Sequence, residues 1–324
     1  MNCLTTTLDE IGSGMRAFLL ATGIGVALVA PAVAADYPSD TIHIVSAFPP
    51  GGGVDAIARY VQASLNKQFN QSVVVEDRAG AGGGVAATYV KSRPADGYSV
   101  LHTITSTVAI EPIYHDVEYS KDDFEYVAGV VQFEAAIVAK ADAPWKDLGD
   151  LITRMKAENK HATFGGQTQL DRMVVSTINK DNDGVIDLVP FKGGSKIIAA
   201  VLGGHVDMGW SGTLHVPLIE AGQMKALAVV GDRRYASYPD VPTLTELGYP
   251  NSFNLFDIFA VLKGTPKEVI DKLSKAVLNA VNEPGFKDLC DKYHFAAQVL
   301  GPEETGELVE SQYARTKSVY DATQ

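Results

Sequence analysis

Two glycine-rich turns stand out: the first suits an anion, and the second resembles a dinucleotide-binding loop at first sight. The first is Phe48-Pro49-Pro50-Gly51-Gly52-Gly53-Val54-Asp55, placed after an apolar run and before an amphipathic one. Its prolines fix a turn, and its glycines let a ligand approach the backbone. A helix opening there offers unpaired N–H groups and partial positive charge, which suit a carboxylate or phosphate. The second is Asp77-Arg78-Ala79-Gly80-Ala81-Gly82-Gly83-Gly84-Val85, which follows Val73-Val74-Val75-Glu76. Its spacing departs from a dinucleotide fingerprint. From Gly80 and Gly82 the third glycine falls on Val85; from Gly82 and Gly84 it falls on Ala87, where the helix would begin too late after the strand. No Gly-x-x-x-x-Gly-Lys-Ser/Thr loop occurs, so a nucleotide is disfavoured.

Other chemistries find less support. Gly209-Trp210-Ser211-Gly212-Thr213 lacks the last glycine of a nucleophile elbow. The 7 histidines are scattered, without the spacing of a metal site, and no cofactor is expected. A net charge of -12 argues against nucleic acid or an anionic membrane as the main partner, while leaving room for a locally positive cleft.

The elements that must position these turns follow from hydrophobic periodicity. Thr41–Ala47, Ser72–Glu76, Ser99–Thr103, Ile186–Val189, Val206–Trp210 and Lys225–Val230 read as strands. Helical patterns at 54–68, 82–92, 147–159, 169–179, 196–202 and 213–221 alternate with them. Such β-α alternation predicts an α/β fold with mostly parallel sheets flanked by helices. Ala135–Lys140 and Phe256–Leu262 read as strands that carry the chain between two lobes, and three helices, each opening near a proline, complete it. The expected division is 36–138 plus 258–324 for one domain and 139–257 for the other. Residues 1–35 read as a secretory signal: Arg16 precedes an apolar run that ends in Pro31-Ala32-Val33-Ala34-Ala35. The acidic stretch before Met15 is unusual for such a signal, so Met15 is the expected start. The remaining Cys290 has no partner for a disulfide. These features point to an exported, periplasmic chain.

The same segments, in the same order, resemble the receptors of tripartite tricarboxylate transporters, also called Bug receptors. The resemblance runs from Tyr37-Pro38-Ser39-Asp40 to the end. It is carried by Phe48-Pro49-Pro50-Gly51-Gly52 with Asp55, Glu76-Asp77-Arg78-Ala79-Gly80, Ala95-Asp96-Gly97-Tyr98, Pro190-Phe191-Lys192-Gly193, Gly203-Gly204-His205-Val206-Asp207 and Tyr238-Pro239-Asp240-Val241-Pro242. It implies a two-lobed periplasmic binding protein, not an enzyme, that closes on a small carboxylate and delivers it to membrane permease subunits. It further implies that one ligand carboxylate meets the turn after the first strand and a facing turn of the other lobe. The expected site therefore holds Phe48, Pro50, Gly51, Gly52, Gly53 and Asp55, facing Gly166, Gln167, Thr168, Gln169 and Arg172. Phe191, Trp210 and the hydroxyl loop Thr105, Ser106 and Thr107 join them, with Ser211 where relatives carry an acid. A second carboxylate is expected deeper, towards Thr105–Thr107 and Ser211. Asp257 is the awkward member: on a cleft-side strand it would repel an anion unless it pairs with Arg172, orders water, or turns to solvent.

The leading expectation is a dicarboxylate receptor acting as a monomer. The alternatives are a ligand sensor that acts on a kinase and a periplasmic enzyme acting on a carboxylate ester or anhydride.

Overall fold

The computed structural model describes residues 37–231, 233–235, 238–249 and 253–321. The expected export signal lies outside these residues. The chain opens with β1 (Ile42–Ser46), α1 (Gly53–Phe69), β2 (Val73–Asp77), α2 (Gly84–Lys91) and β3 (Ser99–Ile104). Two short helices, α3 (Thr105–Ala109) and α4 (Glu111–Tyr114), lead to β4 (Phe124–Gln132). A second unit follows: β5 (Ala136–Lys140), α5 (Leu148–Glu158), β6 (Ala162–Gly166), α6 (Gln169–Lys180) and β7 (Ile186–Pro190). It continues through α7 (Gly194–Leu202), β8 (Met208–Ser211), α8 (Val216–Glu220) and β9 (Met224–Val229). The chain ends with β10 (Phe256–Leu262), α9 (Lys267–Val281), α10 (Pro284–Tyr293), β11 (Ala296–Leu300) and α11 (Pro302–Asp321).

Two sheets result, in the orders β11-β4-β10-β3-β1-β2 and β7-β6-β8-β5-β9. The α/β, two-lobed expectation holds. Strands β2-β1-β3 and β7-β6-β8 pair in parallel, whereas β10 and β11 in one sheet and β5 in the other run against their neighbours. The reversal has a geometric cause. The parallel strands end at the face where the lobes meet, so a strand that enters from the opposite lobe must run away from that face. Strand β5 enters in this way from β4, and β10 from β9.

The expected domain divisions, after 138 and after 257, fall inside β5 and β10, each of which pairs within one sheet. We propose divisions at 133–135 and just before 256, where the chain leaves one sheet for the other.

Helix α1 buries Ile57, Ala58, Val61 and Leu65, a stripe spaced by three or four residues, against its sheet. Helix α9 does the same with Val269, Leu273, Ala276, Val277 and Ala280, and packs on both β4 and α1. The strands that periodicity leaves unassigned explain themselves. Strand β4 is buried for most of its length on both faces and so shows no alternation. Strand β6 ends in Gly165-Gly166, and β11 is an exposed edge.

Candidate functional site

The turns that follow β1, β2, β6, β7 and β8 converge on one cavity of about 500 Å³ between the lobes. This is where ligands bind in open α/β sheets: outside the carboxyl ends of the strands. One wall is Ala47–Pro50 with Gly52–Val54 and Ala79–Gly83; the other is Gln167, Phe191–Lys196, Trp210 and Gly212–Leu214. Phe133 and Leu255, from the two crossover segments, line it as well.

On the first wall, Gly51 turns with φ +86, a left-handed conformation that a side chain would strain. Its N–H donates to Asp55 Oδ2 at 3.0 Å, and Asp55 Oδ1 pairs with Arg59 Nε at 2.8 Å. Asp55 is therefore spent on shaping the turn. Gly52 caps α1 without a side chain, so the N–H groups of Gly52, Gly53 and Val54 have no partner among the described residues. The neighbouring turn keeps φ positive through Gly80, Ala81, Gly82 and Gly83 and closes on itself, the Gly83 N–H donating to the Gly80 carbonyl at 2.9 Å. Gly82 and Gly83 are packed so tightly on Glu111 and Thr107 that neither has room for a Cβ.

That packing settles the position of the hydroxyl loop. Thr105, Ser106 and Thr107 are fully buried behind the Ala79–Gly83 turn and do not line the cavity. Thr107 Oγ1 donates to the Gly82 carbonyl at 2.8 Å, and Thr105 Oγ1 accepts from Phe256 N at 3.3 Å. These groups brace the wall from the rear.

The second wall differs from expectation at the start of α6. Gln167 lines the cavity, but Gly166, Thr168, Gln169 and Arg172 do not. Asp171, fully buried, accepts from Gln167 N at 2.5 Å, Thr168 N at 2.9 Å and Thr168 Oγ1 at 3.0 Å. Burial pushes its carboxyl up to about 6, against the pull of those hydrogen bonds. Gln169 N donates across the lobe boundary to Glu111 Oε1 at 2.8 Å. The N–H groups expected to hold a ligand carboxylate are thus already held by the protein's own carboxylates. Arg172 is exposed and forms no ion pair among the described residues.

Asp257 meets neither Arg172 nor solvent. It lies fully buried between strands, with Oδ1 at 2.7 Å from His102 Nε2. Burial raises its carboxyl, with His102 opposing.

Phe191 and Trp210 line the cavity. Ser211 turns inward: its Oγ is 2.9 Å from His215 Nδ1, and His215 Nε2 is 2.8 Å from Tyr238 Oη. Tyr238 donates to the Glu134 carbonyl at 3.0 Å. That assignment leaves Nε2 as the histidine's donor and Nδ1 as acceptor for the serine proton. Burial pushes His215 down to about 3, keeping it neutral. Ser211 is 1% exposed, so this serine–histidine pair ties β8 to the crossover segment rather than facing the cleft.

Sequence reasoning did not assign Ala79–Gly83, Lys192–Lys196 or Gly212–Leu214 to the site. One signal could have found them: each follows a strand, as the Phe48–Gly53 turn does. Lys192 and Lys196 are the charged groups on the cavity wall, and both are exposed and without an ion-pair partner among the described residues. Among the described residues no cluster of His, Cys, Asp and Glu could hold a metal, and no helix is long and apolar enough to cross a membrane.

Comparison with known proteins agrees with this architecture. Residues 57–324 match the profile of the tripartite tricarboxylate transporter family receptor. Protein BugT of Bordetella pertussis is 29% identical over 328 residues, covering 95% of this chain and 98% of its own. A solved periplasmic transporter superposes with a TM-score of 0.79 at 27% identity, covering 89% of this chain and 98% of the other. The periplasmic binding protein BugD superposes with a TM-score of 0.76 at 25% identity, covering 88% and 98%.

Proposed function

The chain belongs to the tripartite tricarboxylate transporter receptor family, a family of solute-binding proteins rather than enzymes, and we propose that it captures a small dicarboxylate in the periplasm for delivery to a permease. One observation carries this reading. The interlobe cavity joins unpaired backbone N–H groups of the α1 start on one wall to Lys192 and Lys196 on the other, with Phe48, Phe133, Phe191 and Trp210 between them. Charge-free donors at a helix start stabilise one carboxylate without a fixed cation. The two lysines suit a second carboxylate, and the aromatic span suits an apolar body, whether chain or ring. Ser211, Thr105 and Thr107, expected to meet the second charge, are committed elsewhere, and Ser106 is fully buried off the cavity, so the lysines take that role in the proposal.

A thermal-shift screen of the mature chain against malate, adipate, terephthalate and their monocarboxylate or amide counterparts tests it. A specific ligand at 100 times its dissociation constant adds about 2.7 kcal/mol. The expected outcome is a larger shift for a dicarboxylate than for its half-amide. Equal shifts would remove the second-charge assignment, and no shift with any carboxylate would remove the ligand class. Mass spectrometry of periplasmic extract tests export; the expected species begins near Asp36.

A further inference from the structure

We propose that Glu111 is an interlobe clasp: its carboxylate, carried by the first lobe, seats on the N-terminus of α6 in the second and holds the lobes closed over the cleft. The inference rests on reading the cavity between the lobes as the ligand site.

The argument begins with the atoms. Glu111 is 4% exposed although it is charged and sits on a four-residue surface helix. Its Oε1 accepts from Gln169 N, the first residue of α6, at 2.8 Å. His115, one turn further along the first lobe, completes the contact: its Nε2 lies 2.8 Å from Gln169 Oε1 and 3.7 Å from Glu111 Oε2. Backbone and side chain of one second-lobe residue are thus both gripped by the first lobe. A carboxylate at a helix start is among the more favourable of polar contacts, because the acceptor is charged and the donor is otherwise orphaned.

The clasp also adjoins the ligand wall. Gly82, which lines the cavity, packs directly on the Glu111 carboxylate. A group seated on the Ala79–Gly83 wall therefore leans on the residue that joins the lobes. When the lobes part, Glu111 and the α6 start both lose their partner. Closure and this hydrogen bond are one event, and the clasp contributes to ligand affinity by raising the population of the closed form. A second interlobe contact, Pro49 against Gly193, is apolar and carries no comparable directional bond.

Glu111→Ala and Gln169→Pro break the clasp from opposite lobes. Proline is favoured at a first helical position, and Thr168 before it already has the extended φ of -119 and ψ of 168 that a following proline requires. Spin labels at Lys180→Cys on α6 and Lys275→Cys on α9 report the interlobe distance in the ligand-free chain by pulsed electron resonance. Cys290 is buried. The expected result is a broader, shifted distance distribution in both variants, with the double variant no different from either single one. Adipate affinity should fall about tenfold in each, the scale of a lost hydrogen bond to a charged acceptor. His115→Ala, on the solvent side, should give a smaller shift of the same kind. Distances unchanged in all three variants would overturn the clasp. If adipate fails to bind the parent chain, adipate is removed as a ligand without touching the clasp, which the distance measurement decides by itself.

Discussion

The starts of α1 and α6 are built on one plan and used in opposite ways. In each, an aspartate at the third helical position reaches back to the N–H four residues earlier: Asp55 to Gly51 at 3.0 Å, and Asp171 to Gln167 at 2.5 Å. The difference lies in what fills the remaining donors. At α6, Thr168 and Asp171 form a reciprocal cap, and Glu111 takes the N–H of Gln169. At α1, the cap is Gly52, which has nothing to offer, and Asp55 turns its other oxygen to Arg59. One helix start is satisfied from within and locks structure; the other is left open to the cleft. An anion site is thus made by withholding a cap as much as by placing donors.

Removing the two aspartates tests that contrast most severely. Asp171→Ala strands the buried N–H and hydroxyl of Thr168 and the half-buried N–H of Gln167, and should cost about 3 kcal/mol of unfolding free energy in denaturant titrations. Asp55→Ala should cost about 1 kcal/mol, because Gly51 is exposed and its N–H can turn to water. Equal losses would mean that the two starts are equivalent after all.

The pH dependence sharpens the same point. The folded Asp171 carboxyl titrates at about 6, above its ordinary 3.8. Between those values the folded chain holds a proton that the unfolded chain has lost, so this group's contribution is full below the lower value and falls as pH rises through the upper one. The parent should lose roughly 2 kcal/mol relative to Asp171→Asn between pH 4 and 7. Calorimetric melts across that range would show it; a constant difference would contradict the burial argument.

Binding measurements probe the open start. Gly52→Pro removes one of its donors and should weaken dicarboxylate binding about tenfold, roughly 1.4 kcal/mol. Arg172→Ala should change it less than about twofold, since the guanidinium sits outside the cavity. Calorimetry on folded variants separates these outcomes, and the reverse ranking would replace the backbone cradle with a salt bridge. The smallest effect belongs to Lys196→Ala, an exposed cation: about threefold weaker binding of a dicarboxylate, more at low salt than at high. A monocarboxylate should be unaffected; if it weakens equally, Lys196 does not read the second charge.

Much of this molecule is legible in its amino-acid sequence. The β-α alternation and the glycine turn after the first strand are local patterns, and the structure reproduces them within a few residues. The crossover strands are legible too, because their apolar runs stand between recognisable helices. Strand β4 is not, since a strand buried on both faces carries no period. The cavity wall at Ala79–Gly83 is visible as a motif but not as a site: nothing local says that two strand-end turns face one another.

What the sequence determined by itself is where backbone can turn, where helices begin, and which family the chain resembles. What only the tertiary structure decided is which polar group satisfies which. Asp55 and Asp171 stand at the same helical position, and beyond the local choice of Gly52 or Thr168 as cap, the free and filled helix starts differ through Glu111, 58 residues from its partner in the chain. Asp257, expected near the cleft, is claimed by His102 from 155 residues away. Ser211 is claimed by a histidine that burial keeps neutral. The reason is physical. Backbone conformation answers to neighbours along the chain, whereas most buried polar atoms pair with whatever groups packing brings within about 3 Å.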